Sequence, residues 1–94
     1  MNEHYVYILT NDRRTVLYTG CSNDLRKRLY HHKHRLVEGF SKKYNVHRLV
    51  YFEKLPDMGS ARRREQKIKE MSRSKKENLI NSMNQTWGDI SESI

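Results

Sequence analysis

The stretch Tyr5-Val6-Tyr7-Ile8-Leu9, followed by Asn11-Asp12-Arg13-Arg14 and then Thr15-Val16-Leu17-Tyr18-Thr19-Gly20, decides the fold. Aromatic and β-branched residues dominate both flanks, which is strand composition. The polar tetrapeptide between them supplies a turn, and Gly20 closes the second strand. The segment reads as a β-hairpin with strands over 4–10 and 15–19. A four-residue loop sets Thr10 opposite Thr15 and Tyr7 opposite Tyr18. Side chains alternate with period two, so any even-numbered loop keeps the two phenols on one face of the sheet.

Downstream, Ser22-Asn23-Asp24 is a helix-start signal, and Leu25, Leu29 and Leu36 recur at helical spacing. His32 falls inside that stripe, and Arg28 lies at its edge, about 80° from the centre at ~100° per residue. Glu38-Gly39 is the predicted end, and residues 41–46 form a polar connection. A short buried strand follows over 47–53, carrying Leu49-Val50-Tyr51-Phe52. Leu55-Pro56-Asp57 stops it, and Asp57 caps a second helix over 58–71. Arg64 and Glu65 flank the apolar stripe of that helix; a carboxylate there is partly desolvated and needs a partner, such as a neighbouring arginine. Ser74-Lys75-Lys76-Glu77 is a capping box opening a third helix with Leu79, Ile80 and Met83. The predicted class is α+β: a three-stranded antiparallel sheet flanked by helices, in the order β-β-α-β-α-α. Residues 1–83 form one domain, and 84–94 a flexible acidic tail from which Trp87 could dock.

Composition bounds the function. The 94 residues are one small domain, with no second domain to hold a cofactor. Only 20 of them are Leu, Ile, Val or Phe, so the core is thin, helped by six Tyr and four Met. Between Arg26 and Lys76 there are 17 basic and 5 acidic residues, a local charge of +12 within a chain of +8. So local a basic excess suits a polyanion. The single cysteine, Cys21, excludes an internal disulfide and fits a cytoplasmic setting. No apolar run approaches the ~20 residues that span a bilayer, no signal peptide is apparent, and the basic helices lack a wide apolar face for a membrane surface.

Tyr5-Val6-Tyr7 and Tyr18-Thr19-Gly20, with the key tyrosines eleven apart, resemble the two half-motifs of the GIY-YIG nuclease superfamily. Arg28 stands where that family has its arginine, His32 follows one turn later, and Glu65 stands in the helix that carries the family's glutamate. The resemblance spans about residues 4–81 and is greatest to small stand-alone bacterial members. Tyr5 replaces the first glycine of the motif and Thr19 its isoleucine. Asn78 and Asn81 are the candidates for the asparagine that many homing-type members add.

The resemblance implies a metal-dependent endonuclease that hydrolyses DNA, with RNA or single strands as further substrates, through Tyr7, Tyr18, Arg28, His32 and Glu65. Glu65 would hold one Mg2+ or Mn2+, a hard cation that prefers carboxylate and keeps several waters. Arg28 would clamp the scissile phosphate with its planar fork. Tyr7 would position or deprotonate the attacking water with Tyr18 beside it, and His32 would orient Tyr7 or relay a proton. A phenol has an ordinary pKa of about 10, so that role needs nearby cations to favour phenolate. Arg26, Lys27, Lys33, Arg62, Arg63, Lys67 and Lys69 would track the phosphate backbone. No reading helix carries base-directed Asn or Gln, so intrinsic sequence specificity is expected to be low, compatible with a partner protein that supplies it. The alternative is a non-catalytic nucleic-acid-binding module of the same fold. A zinc site built from Cys21, His31, His32 and His34 lacks paired-Cys spacing. Cys21 as nucleophile rests only on its place near a helix start.

Overall fold

The computed structural model describes residues 3–34, 36, 39 and 43–94. The chain forms β1 (His4–Thr10), β2 (Leu17–Ser22), α1 (Leu25–Lys33), β3 (Arg48–Leu55), α2 (Met58–Lys69), α3 (Arg73–Met83) and a closing 3-10 turn (Ser91–Ser93). The sheet is antiparallel with strand order β2-β1-β3. β1 is central and flanked on both edges, which is why Tyr5 through Thr10 are all buried. Its alternation divides the core. Val6 and Ile8 face α2 and α3, packing with Ala61, Ile68 and Ile80. Tyr5, Tyr7 and Leu9 face α1, packing with Leu25, Leu29 and Leu49. Ile68 and Ile80 have no exposed surface; each such burial stabilises the fold by about 1.5–3 kcal/mol. The pairing of β1 with β3 shifts register between Ile8 and Leu9, which leaves Val50 as an extra residue in β3. That irregularity lets both Val50 and Tyr51 join the α2 side of the core.

Several boundaries differ from the sequence expectation. The hairpin loop is six residues, 11–16, not four, because the Asn11 side chain organises it. Asn11 Oδ1 accepts from the Thr15 and Val16 amides at 2.9 and 3.2 Å. β2 therefore starts at Leu17 and runs on to Ser22. Tyr7 lies opposite Gly20 and Leu9 opposite Tyr18. Six is still even, so the two phenols share a face as expected. α1 ends at Lys33 rather than at Glu38, which lies outside the described residues. The Leu36 amide bonds back to the His31 carbonyl at 2.8 Å, closing the last turn, and Leu36 is 61% exposed instead of extending the stripe. Val46, read as part of a polar connection, is fully buried in the core. β3 extends to Leu55. The cap of α3 is Ser72, whose hydroxyl accepts from the Lys75 amide, while Glu77 pairs with Arg73 instead of completing a box with Ser74.

Residues 84–94, expected to hang as a flexible tail, are laid against the sheet. Trp87 is 9% exposed within the α2 side of the core, and its indole N–H donates to Asn81 Oδ1 at 2.7 Å. Asn84, also buried, donates to the carbonyls of Val50 and Gly88. The Ile90 amide bonds to the Leu49 carbonyl at 2.9 Å. Among the described residues no helix is long and apolar enough to cross a membrane. Trp87→Ala should lower unfolding free energy by about 3 kcal/mol, read from urea transitions followed by circular dichroism. A loss below about 0.5 kcal/mol would show that this segment lies outside the cooperative unit.

Candidate active site

Gly20 sets the geometry of the site. A Cβ built on it would lie 2.6 Å from the Tyr7 hydroxyl oxygen, 2.7 Å from Cζ and 3.1 Å from Tyr18 Cε1. Only a residue without a side chain lets the Tyr7 phenol lie across the backbone of β2. The Tyr7 and Tyr18 rings are then 6.3 Å apart, centre to centre. The Asp24 carboxylate caps α1 by accepting from the Lys27 amide. This fixes the helix so that Arg28 and His32, four residues apart, present to the same place. Arg28 Nε donates to the Tyr7 hydroxyl at 3.4 Å, and His32 Nε2 lies 3.3 Å from the same oxygen. The His32 ring meets Tyr18 edge-on at 5.2 Å. Tyr7 and His32 are buried, whereas Tyr18 and Arg28 keep partial exposure.

Burial raises the Tyr7 pKa above its ordinary value, with Arg28 opposing only in part. Burial, reinforced by Arg28, brings His32 down to about 4, so the imidazole is neutral near pH 7. His32 Nδ1 is buried without a partner. The Tyr7 hydroxyl is thus held between Arg28 Nε and His32 Nε2, the only hydrogen-bonding nitrogen of that imidazole.

Glu65 approaches from the other layer. It projects from α2, which packs on the opposite face of the sheet, and reaches the β2 edge beside Gly20. Its Oε1 accepts from Cys21 Sγ at 3.3 Å, and its Oε2 pairs with Lys69 Nζ at 3.1 Å. The Arg64 guanidinium turns to Glu53 instead, gripping it through three bonds of 2.8–3.0 Å. Burial pulls Glu53 upward, but Arg64 and Tyr51 outweigh it and hold the carboxyl below its usual range. Tyr51 in turn is pushed up to about 12, by burial first and then by Glu53. Four of the five expected site residues thus meet directly, and the fifth, Glu65, comes from the other layer to the β2 edge, bonded to Cys21 and Lys69.

Comparison with known proteins identifies the family. The GIY-YIG catalytic domain family matches residues 3–78. The chain belongs to the GIY-YIG family. Its relatives include a UPF0213 protein of Staphylococcus saprophyticus, 36% identical over 80 residues, which covers 85% of this chain and 96% of that one. A UPF0213 protein of Clostridium perfringens is 37% identical, with 84% of each chain covered. The solution structure of a UPF0213 protein from Bacillus halodurans superposes with a TM-score of 0.59 at 29% identity, covering 96% of this chain and 95% of that one. This GIY-YIG chain thus resembles small proteins of nearly its own length.

The remaining candidates distribute unevenly. Lys27 lines a cleft of about 360 Å3 with Ser22, Asn23, Asp24, Arg28 and His31, adjoining the site. Lys33, Arg62 and Arg63 are exposed on their helices, and the Arg26 guanidinium donates to the Ile94 carbonyl. Lys67 lines a different cleft with Arg64, Glu70 and Lys75, on another side of α2 from Lys69. Asn78 is exposed on α3, and Asn81 is engaged by Trp87. One expectation changes. Tyr7 is fully enclosed, so as it stands it cannot touch an attacking water; the phenol at the surface is Tyr18. Cys21 is no activated nucleophile, because burial and the Glu65 carboxylate raise its pKa. Its contact with Glu65 had no signal in the sequence. Among the described residues no cluster of three or more His, Cys, Asp or Glu forms a metal cage.

Gly20→Ala should displace the Tyr7 ring and destabilise the fold by about 1–3 kcal/mol. Melts that match wild type would contradict the contact. His32 binds a proton less readily folded, with a pKa of about 4, than unfolded, at the ordinary 6.5. Its contribution to stability is therefore present above pH ~6.5 and is lost as pH falls toward ~4. His32→Gln should flatten that acid limb in thermal melts across this window, whatever its effect at neutral pH.

Proposed function

We propose that this protein is a divalent-metal-dependent endonuclease that hydrolyses DNA phosphodiester bonds with low intrinsic sequence specificity. The observation that carries the reading is the convergence of Arg28 and His32 on the Tyr7 hydroxyl over Gly20, beside the half-exposed Tyr18. Hydrolysis requires water to attack phosphorus, charge to be neutralised on the phosphoryl oxygens, and the leaving oxygen to gain a proton. Arg28, fixed by Tyr7 and lining the cleft with Lys27, meets the phosphate there. Tyr18 orients the attacking water at the surface. Tyr7 and His32 are positioning residues that hold the guanidinium and the second phenol. Glu65, a half-buried carboxylate, suits a single Mg2+ or Mn2+ that keeps most of its waters. When bound there, the ion supplies positive charge for the phosphoryl oxygens.

One observation favours the binding-only alternative: Lys69 already occupies a Glu65 oxygen, so an ion must displace an ammonium. The experiment is cleavage of supercoiled plasmid and of single-stranded circles, each with Mg2+, Mn2+ or EDTA. Glu65→Gln should reduce metal-dependent cutting at least a thousandfold while leaving nucleic-acid affinity within about twofold. Arg28→Ala should reduce cutting by about a hundredfold to a thousandfold, the range expected for loss of a charge-stabilising donor. Wild-type protein that binds but never cuts would establish the binding-only reading.

A further inference from the structure

We propose that the open edge of β2 is a track for the phosphate backbone of the nucleic-acid substrate, with Lys76 and Lys69 as its contacts. β2 is an edge strand, paired only with β1. Along that edge lie two adjoining clefts. One, of about 400 Å3, is lined by Thr15, Val16, Leu17, Tyr44, Arg73 and Lys76. The other, of about 210 Å3, is lined by Leu17, Tyr18, Thr19, Lys69 and Lys76. They share Leu17 and Lys76, so they form one trough. No carboxylate lines either cleft, although three basic residues do. Lys76 is half-buried along its stem and has no acidic partner among the described residues, which leaves its ammonium available to an anion. Arg73 is held in the wall by donating to the Arg14 and Thr15 carbonyls at 2.9 and 3.0 Å. That leaves Lys76 as the donor of the trough with no partner among the described residues. At the other end, Tyr18 and Lys69 connect the trough to the candidate site, Lys69 through its pair with Glu65. A backbone leaving the scissile position along β2 would therefore meet Lys69 first and Lys76 next. This inference rests on the nuclease reading and extends its substrate contacts beyond the site.

The test compares two adjacent lysines of α3. Lys75 is exposed and lines the separate cleft with Arg64 and Lys67. Lys76→Met and Lys75→Met change net charge equally and keep the aliphatic stem. Affinity of the full chain for fluorescent single- and double-stranded oligonucleotides is measured by anisotropy in EDTA, over a range of salt. Lys76→Met should weaken binding about fivefold to tenfold and lower the log–log salt slope by about one, whereas Lys75→Met should cost less than about twofold. Lys76→Glu should weaken binding further. Equal effects of the two methionine variants, or no effect of Lys76→Met, would overturn the track while leaving wild-type binding and cleavage, and hence the nuclease reading, intact. Wild-type protein that binds neither oligonucleotide would overturn both.

Discussion

The close approach of the Tyr7 phenol to the backbone of β2 is the constraint around which the rest is organised. It needs a strand position with no side chain, and Gly20 provides it. Once the ring lies there, its hydroxyl is removed from water, and a buried hydroxyl demands partners. α1 supplies both of them, spaced four residues apart on one helical face. The same enclosure keeps the phenol and the imidazole neutral. A buried polar contact thereby fixes where the exposed groups, Tyr18 and Arg28, stand.

Much of this was legible in the chain. The alternation in β1 and the even parity of the hairpin loop put the two phenols on one face for any even length, so a loop of six served as well as the expected four. Asp24 and Asp57 declared the starts of α1 and α2 because a cap is a local interaction. What the sequence concealed was non-local. Nothing in the residues near Glu65 announces Cys21, forty-four positions away, as its neighbour. Angles on a helical wheel left Arg64 and Glu65 equivalent, whereas Glu53 on the neighbouring strand captures the arginine and leaves the glutamate to Lys69. The burial of Tyr7 likewise follows from packing of three separate elements and not from its own segment.

The two layers of helix contribute different things to the same strand edge. α1 brings donors for an anion to one face of β2, and α2 brings a carboxylate to the other. An edge strand, unlike a central one, can be approached from both faces, so groups separated by the sheet can still serve one ligand. The order β2-β1-β3 puts the strand that carries Tyr18 and Gly20 on the outside, which is what the proposed nuclease site requires.

The docking of the last segment has a practical corollary. The chain contains one tryptophan, and it sits on the α2 side of the sheet, across β1 from the tyrosine cluster. Intrinsic indole emission is thus a single-position optical reporter, placed in the layer that carries Glu65, and it reads metal or nucleic-acid binding without any attached dye.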